Sequence, residues 1–114
     1  MTTEGIEAVF LTTHNWGKAA RFFQELGYEL EFDTGHSSGQ LRNGDGPYLF
    51  IAEVPADQAI DTRMVLRTPD PDGFKAGSTA EVVTPFEETH FGTREATVRD
   101  PDGRLWSLQS RPKD

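Results

Sequence analysis

"VRDPDGRLWSLQ", residues 98–109, can be laid over "LRNGDGPYLFIA", residues 41–52. Arg42 falls on Arg99, Asp45 on Asp102 and Gly46 on Gly103, and in both copies the Asp-Gly turn leads into an apolar strand. Upstream, Leu11 and Thr13 fall on Leu66 and Thr68 in the same way. A repeat of letters at matched turns predicts two modules built alike.

The elements around these copies repeat as well. "IEAVFLTT" (6–13) is β-branched and aromatic and reads as a strand. Asn15 is a good N-cap and Gly27 a good C′ residue; between them Trp16, Ala19, Ala20 and Phe23 recur at helical spacing, and Leu26 extends the stripe. "YELEFD" (28–33) predicts a strand with clean alternation, "QLRN" a short one and "PYLFIAE" (47–53) another. The first module is therefore β-α-β-β-β, followed by a linker, "VPADQAID" (54–61). In the second, "TRMVLRT" (62–68), "TAEVVTP" (79–85), "TREATVR" (93–99) and "RLWSLQS" (104–110) predict strands, and "FEETHFG" a loop. Pro69, Pro71, Gly73 and Gly77 leave room for at most one helical turn where the second helix belongs. The expected class is α+β: two βαβββ modules, about 5–53 and 62–110, in one domain covering 1–114, the second helix short or missing.

Composition narrows the partners. The 114 residues are 35% hydrophobic and 11% aromatic, enough for a packed core. A formal net charge of −8 disfavours nucleic-acid phosphates and anionic membranes. Cysteine is absent, which removes thiol nucleophiles and cysteine metal sites. "MTTEGIEAVF" has neither a basic stretch nor a long apolar run, so the expectation is a cytoplasmic protein without a membrane span.

Two stretches carry a family resemblance. "NWGKAARFFQELGYELEF" (15–32) and "HFGTREATVRDPDG" (90–103) resemble the vicinal oxygen chelate superfamily of glyoxalase I, extradiol dioxygenases, fosfomycin-resistance enzymes and bleomycin-resistance proteins. The second is similar to the "WGxREFxxxDPxGN" stretch of the bleomycin-resistance branch, with Phe91 in place of Trp and Arg104 in place of Asn. The resemblance implies a curved mixed sheet with a concave cavity, and a homodimer. It also implies four ligand positions for one divalent ion, on the first and last strands of each module. In this chain those positions carry Ala8, Phe50, Arg63 and Ser107. None is a good ligand, and Arg63 repels a cation, so no metal and no cofactor are expected.

Period-2 alternation then sorts the strands. Phe10, Tyr48 and Phe50 line the cavity with Ala8, Ala52, Thr12, Arg63, Leu105, Ser107 and Gln109, while Val9, Leu11, Leu49 and Ile51 pack under the helix and Trp106 and Leu108 face away. This is an aromatic pocket with a few polar groups, suited to an organic ligand. The bland alternative is that the rings are core filler or a buried dimer face. Glu87, Glu88, His90 and Phe91 fall in the loop that covers the cavity in the bleomycin-resistance branch, and an acidic loop suits a cationic aromatic antibiotic. The expected function is metal-independent small-molecule binding of bleomycin-resistance type. Two other readings stand beside it. One is a lyase, isomerase or dioxygenase with ligands relocated to His90, Glu53 and Glu95, or a metal-free variant using His90 or Glu53 as base. The other is a module with no ligand.

Overall fold

The structure is a computed structural model that describes residues 3–89 and 92–111. The elements run β1 (Ile6–Thr13), α1 (Trp16–Glu25), β2 (Glu29–Asp33), β3 (Ser38–Arg42), β4 (Tyr48–Glu53), β5 (Thr62–Arg67), a 3-10 turn (Pro71–Gly73), β6 (Glu81–Glu88), β7 (Arg94–Arg99) and β8 (Leu105–Gln109). The order βαβββ occurs twice, with the 3-10 turn where the second helix would be, and the class is α+β, as the sequence predicts. Two compact units divide the chain: Ala8–Arg63, and Met1–Glu7 together with Met64–Asp114.

In the Ala8–Arg63 unit the strands lie in the order β2-β3-β4-β1, with β4 parallel to β1 and the other neighbours antiparallel. Asn15 caps α1: its side-chain oxygen accepts from the Lys18 N–H at 3.0 Å. At the other end the Gly27 N–H donates to Gln24 O and the Tyr28 N–H to Phe23 O, the paired bonds of a Schellman motif. Gly27 takes a φ of +101°, which a side chain would resist, and the Tyr28 and Phe23 rings close the motif with centroids 5.6 Å apart. The buried face of the helix meets Leu41, Leu49 and Ile51, with Val9, Leu11, Trp16, Ala19, Phe23 and Tyr28 packed around them. Val9, Leu11, Leu49 and Ile51 among them are the residues that alternation assigned to the helix side. Gly39 is needed here, since a Cβ on it would stand 2.7 Å from both the Trp16 ring and the Phe32 carbonyl oxygen.

β2 departs from the clean alternation expected of it. Leu30 pairs with Leu41 and Phe32 with Gln40, so the register slips by one residue at Glu31. A bulge of this kind turns two neighbouring side chains toward the same face. Phe32 is thereby delivered to the face opposite Leu30 rather than beside it.

In the other unit the order is β5-β8-β7-β6, with β5 parallel to β8 and the rest antiparallel. The 3-10 turn is too short to cover a sheet, and the loop around it takes over part of that work. Asp72 pairs with Arg94 at 2.7 Å, and the Phe74 ring meets Phe86 with centroids 5.8 Å apart. Leu108 and Ala96 are buried. Glu7 is buried against the guanidinium of Arg111, which donates to both its carboxylate oxygens at 3.0 and 3.2 Å. One expectation is corrected: Glu87 and Glu88 lie on β6, not in a loop. They pair with Glu95 and Arg94, and Pro85 is accommodated because β6 is the last strand of this order and its register is irregular between Thr84 and Glu87.

Candidate functional site

The face of the Ala8–Arg63 unit opposite α1 is aromatic. β1 and β4 run in register with Ala8 beside Tyr48, Phe10 beside Phe50 and Thr12 beside Ala52. Side chains of paired residues share a face, so the residues between Val9, Leu11, Leu49 and Ile51 point away from the helix. The Phe10 ring lies 6.4 Å from that of Tyr48 and 6.0 Å from that of Phe50, the latter edge-on. Phe32, delivered by the bulge, adds a fourth ring 6.5 Å from Phe50. These separations are those of interacting ring pairs. Phe10, Tyr48 and Phe50 are half-buried, and Phe32 is 42% exposed.

A polar group borders the rings. Glu31 accepts from Gln40 Nε2 at 3.0 Å and from Arg42 Nε at 3.2 Å. Arg42 also donates to Gly46 O at 3.1 Å, and its guanidinium carbon sits 5.5 Å from the Tyr48 ring centroid. The hydrogen bond from Gln40, and then Arg42, hold the Glu31 carboxyl below its ordinary pKa. Phe32, Glu31 and Arg42 were missed at the sequence level. The signal that could have found them is the length mismatch between strand and partner that a bulge absorbs, and it leaves no mark in residue types.

Thr12 is on the aromatic face, but its Oγ1 already accepts from the Asp61 N–H at 2.6 Å. Arg63 is half-buried near the start of β5. In the other unit Ser107 stands between Val65 and Thr97, and Gln109 between Arg67 and Glu95. Ser107 is 0% exposed, and its Oγ has no hydrogen-bond partner among the described residues. Gln109 is buried, with Nε2 3.5 Å from a Glu95 oxygen. Glu87 and Glu88 are exposed on β6. His90 and Phe91 lie outside the described residues.

The donor set does not fit a divalent ion. Where the resemblance implies ligands the chain offers a buried methyl group (Ala8), a hydrocarbon ring (Phe50), a guanidinium (Arg63) and a neutral hydroxyl closed off from solvent (Ser107). Among the described residues no three His, Asp or Glu side chains are grouped so as to hold a metal. Glu53, one of the relocated candidates, is engaged elsewhere: its Oε1 accepts from the Trp16 N–H at 2.9 Å, at the first turn of α1.

No family model and no curated protein sequence matches the chain. Solved structures do. A glyoxalase/bleomycin resistance protein/dioxygenase superfamily member from Vibrio splendidus 12B01 superposes with a TM-score of 0.68 at 15% identity, over 91% of this chain and 97% of that one. The chain has the vicinal oxygen chelate fold. Methylmalonyl-CoA epimerase from Mycobacterium tuberculosis shares that fold at a TM-score of 0.69 and 13% identity, over 99% and 91% of the two chains. The Mn(II)-bound glyoxalase from Novosphingobium aromaticivorans shares it at 0.73 and 14%, over 99% of this chain and 42% of the longer one. At these identities the likeness is one of fold. Among the described residues no helix is long and apolar enough to cross a membrane.

Proposed function

We propose that this protein binds a small aromatic molecule without a metal ion, in the manner of the bleomycin-resistance type. The observation that carries the proposal is the four-ring face of Phe10, Phe32, Tyr48 and Phe50, bordered by oriented polar groups. Rings that were only core filler would be closed over, whereas Phe32 is 42% exposed. Aromatic surfaces beside a few fixed polar groups are what flat organic ligands use. Arg63, half-buried in the same unit as the rings, favours a ligand that carries an anionic group. Homodimerisation and a cytoplasmic location belong to the same proposal. The enzyme reading with relocated ligands gains no support from Glu53, which is spent on α1.

The test has two arms. Protein purified without chelator and dialysed against mixed divalent ions is analysed for metal; the expected result is no stoichiometric ion. A panel of aromatic probes is then titrated against wild type and Phe50→Ala, with Trp fluorescence as readout. Removing a contact ring should weaken binding by about tenfold, the worth of roughly 1 kcal/mol or more of stacking. One tightly held ion per chain would overturn the metal-independent reading, and a flat response to every probe would overturn the binding reading.

A further inference from the structure

We infer that Arg63 anchors an anionic group, a carboxylate, on the ligand; this rests on the reading of the ring face as a small-molecule site. Five arginines of the chain are half-buried: Arg42, Arg63, Arg67, Arg94 and Arg99. Arg42 is paired with Glu31, Arg67 with Glu4, Arg94 with Asp72 and Arg99 with Glu81, at 3.2, 3.2, 2.7 and 3.2 Å. Arg63 has no ion pair or hydrogen bond of its side chain among the described residues. Acids are not scarce, since the chain has 19 Asp and Glu against 11 Lys and Arg. A partly desolvated guanidinium without an acceptor is unfavourable, and five N–H donors in a planar fork match a carboxylate in two-point contact.

The chain enters β5 alongside β1: Thr12 N–H donates to Asp61 O at 3.0 Å, while Thr12 itself pairs with Ala52 on its other side. Arg63 comes two residues after Asp61, next to the strand that carries Phe10 and Thr12. The other cations of this unit are committed or remote. Arg42 is held by Glu31 and Gly46, and Lys18 and Arg21 are exposed on α1. Among the described residues of the ring-bearing unit Arg63 is thus the half-buried cation without an acceptor, and it stands in a chain whose net charge would otherwise repel an acid.

Three matched probes test this: 1-naphthoate, neutral 1-naphthylmethanol and cationic 1-naphthylmethylammonium. Each is titrated by calorimetry into wild type, Arg63→Lys, Arg63→Met and Phe50→Ala. Wild type should bind the carboxylate at least about tenfold tighter than the alcohol, and raising the salt should weaken the carboxylate alone. Arg63→Met should lose that preference while keeping its affinity for the alcohol, Arg63→Lys should keep part of it, and Phe50→Ala should weaken all three probes together. Equal affinity for the three probes, tightest binding of the ammonium, or a carboxylate preference that survives in Arg63→Met would overturn the assignment while leaving the ring site standing. Should Arg63→Met fail to fold, a salt-independent carboxylate affinity in wild type overturns it equally. Binding of none of the three would remove the site and the anchor together.

Discussion

Replacing Ser107 by alanine should stabilise the protein. Ser107 is 0% exposed and its hydroxyl has no hydrogen-bond partner among the described residues, so folding removes it from bulk water without a protein acceptor or donor in return. An unsatisfied buried hydroxyl costs roughly 1–3 kcal/mol. Alanine keeps the Cβ between Val65 and Thr97 and removes only the oxygen, and the small void left behind subtracts a few tenths of a kcal/mol, on the order of 0.3. The net expectation is a gain of about 1 kcal/mol, which raises the melting temperature by roughly 4 °C for a domain of this size. Thr68 is likewise buried with a hydroxyl that has no partner among the described residues, so Thr68→Val should move stability in the same direction. Ser107→Glu should do the reverse and lose about 3 kcal/mol or more, because a carboxylate there is buried without a counter-charge. Urea unfolding, followed by far-ultraviolet circular dichroism and by Trp fluorescence, measures all three. A loss of 1 kcal/mol or more in Ser107→Ala would refute the reasoning, since it would mean that the hydroxyl is bonded. Full stability in Ser107→Glu would refute it more deeply, since a charge would then be accommodated where the donor set was judged unfit.

Other expectations follow from neighbouring features. Gly39→Ala should destabilise by roughly 1–3 kcal/mol, because its Cβ meets the Trp16 ring and the Phe32 carbonyl at 2.7 Å; adding Trp16→Leu should recover only part of the loss in a double-mutant cycle. Asp100 is held at about 2, below its usual 3.8, first by the Trp106 indole N–H at 2.9 Å and then by Arg104. A depressed carboxyl stabilises the fold above its unfolded pKa and loses that contribution as pH falls through the folded one. Stability should therefore fall between about pH 4 and 2 in wild type and less steeply in Asp100→Asn, as read from urea unfolding at a series of pH values.

Much of the fold is legible in the letters because the deciding signals are local. Asn15, the stripe from Trp16 to Phe23 and Gly27 define α1 by capping and periodicity, and the observed helix ends where they place its ends. Pro71 and Gly73 forbid the second helix, and a 3-10 turn stands there. Alternation sorts β1 and β4 correctly because no bulge interrupts them. It fails in β2 for the complementary reason: the slip at Glu31 is decided by the partner strand, through Gln40 and Arg42, and no property of "YELEFD" announces it. Glu87 and Glu88 were lost to a proline that ordinarily ends a strand, yet is tolerated at an edge. The ring face was accordingly read with three of its four rings. Side-chain engagement is the least legible part of all: that Thr12 is taken, Glu53 is spent and Arg63 is free depends on contacts across 37 to 49 residues of chain.

The pairing of Glu7 with Arg111 has a consequence for how the chain comes into being. Residues 8–63 are contiguous, and the helix and four-strand order they form needs nothing made later than Arg63. The other unit joins residues before Ala8 to residues after Arg63, and its ion pair spans 104 positions. During synthesis, at about 5–20 residues per second, the first unit has its whole sequence available several seconds before Arg111 exists. Until then Glu7 is a carboxylate without that cation, and until residue 109 is made the β5-β8-β7-β6 order lacks its β8, the strand beside β5. The ribosome thus delivers the ring-bearing unit first, and the other is completed only when β8 and Arg111 follow.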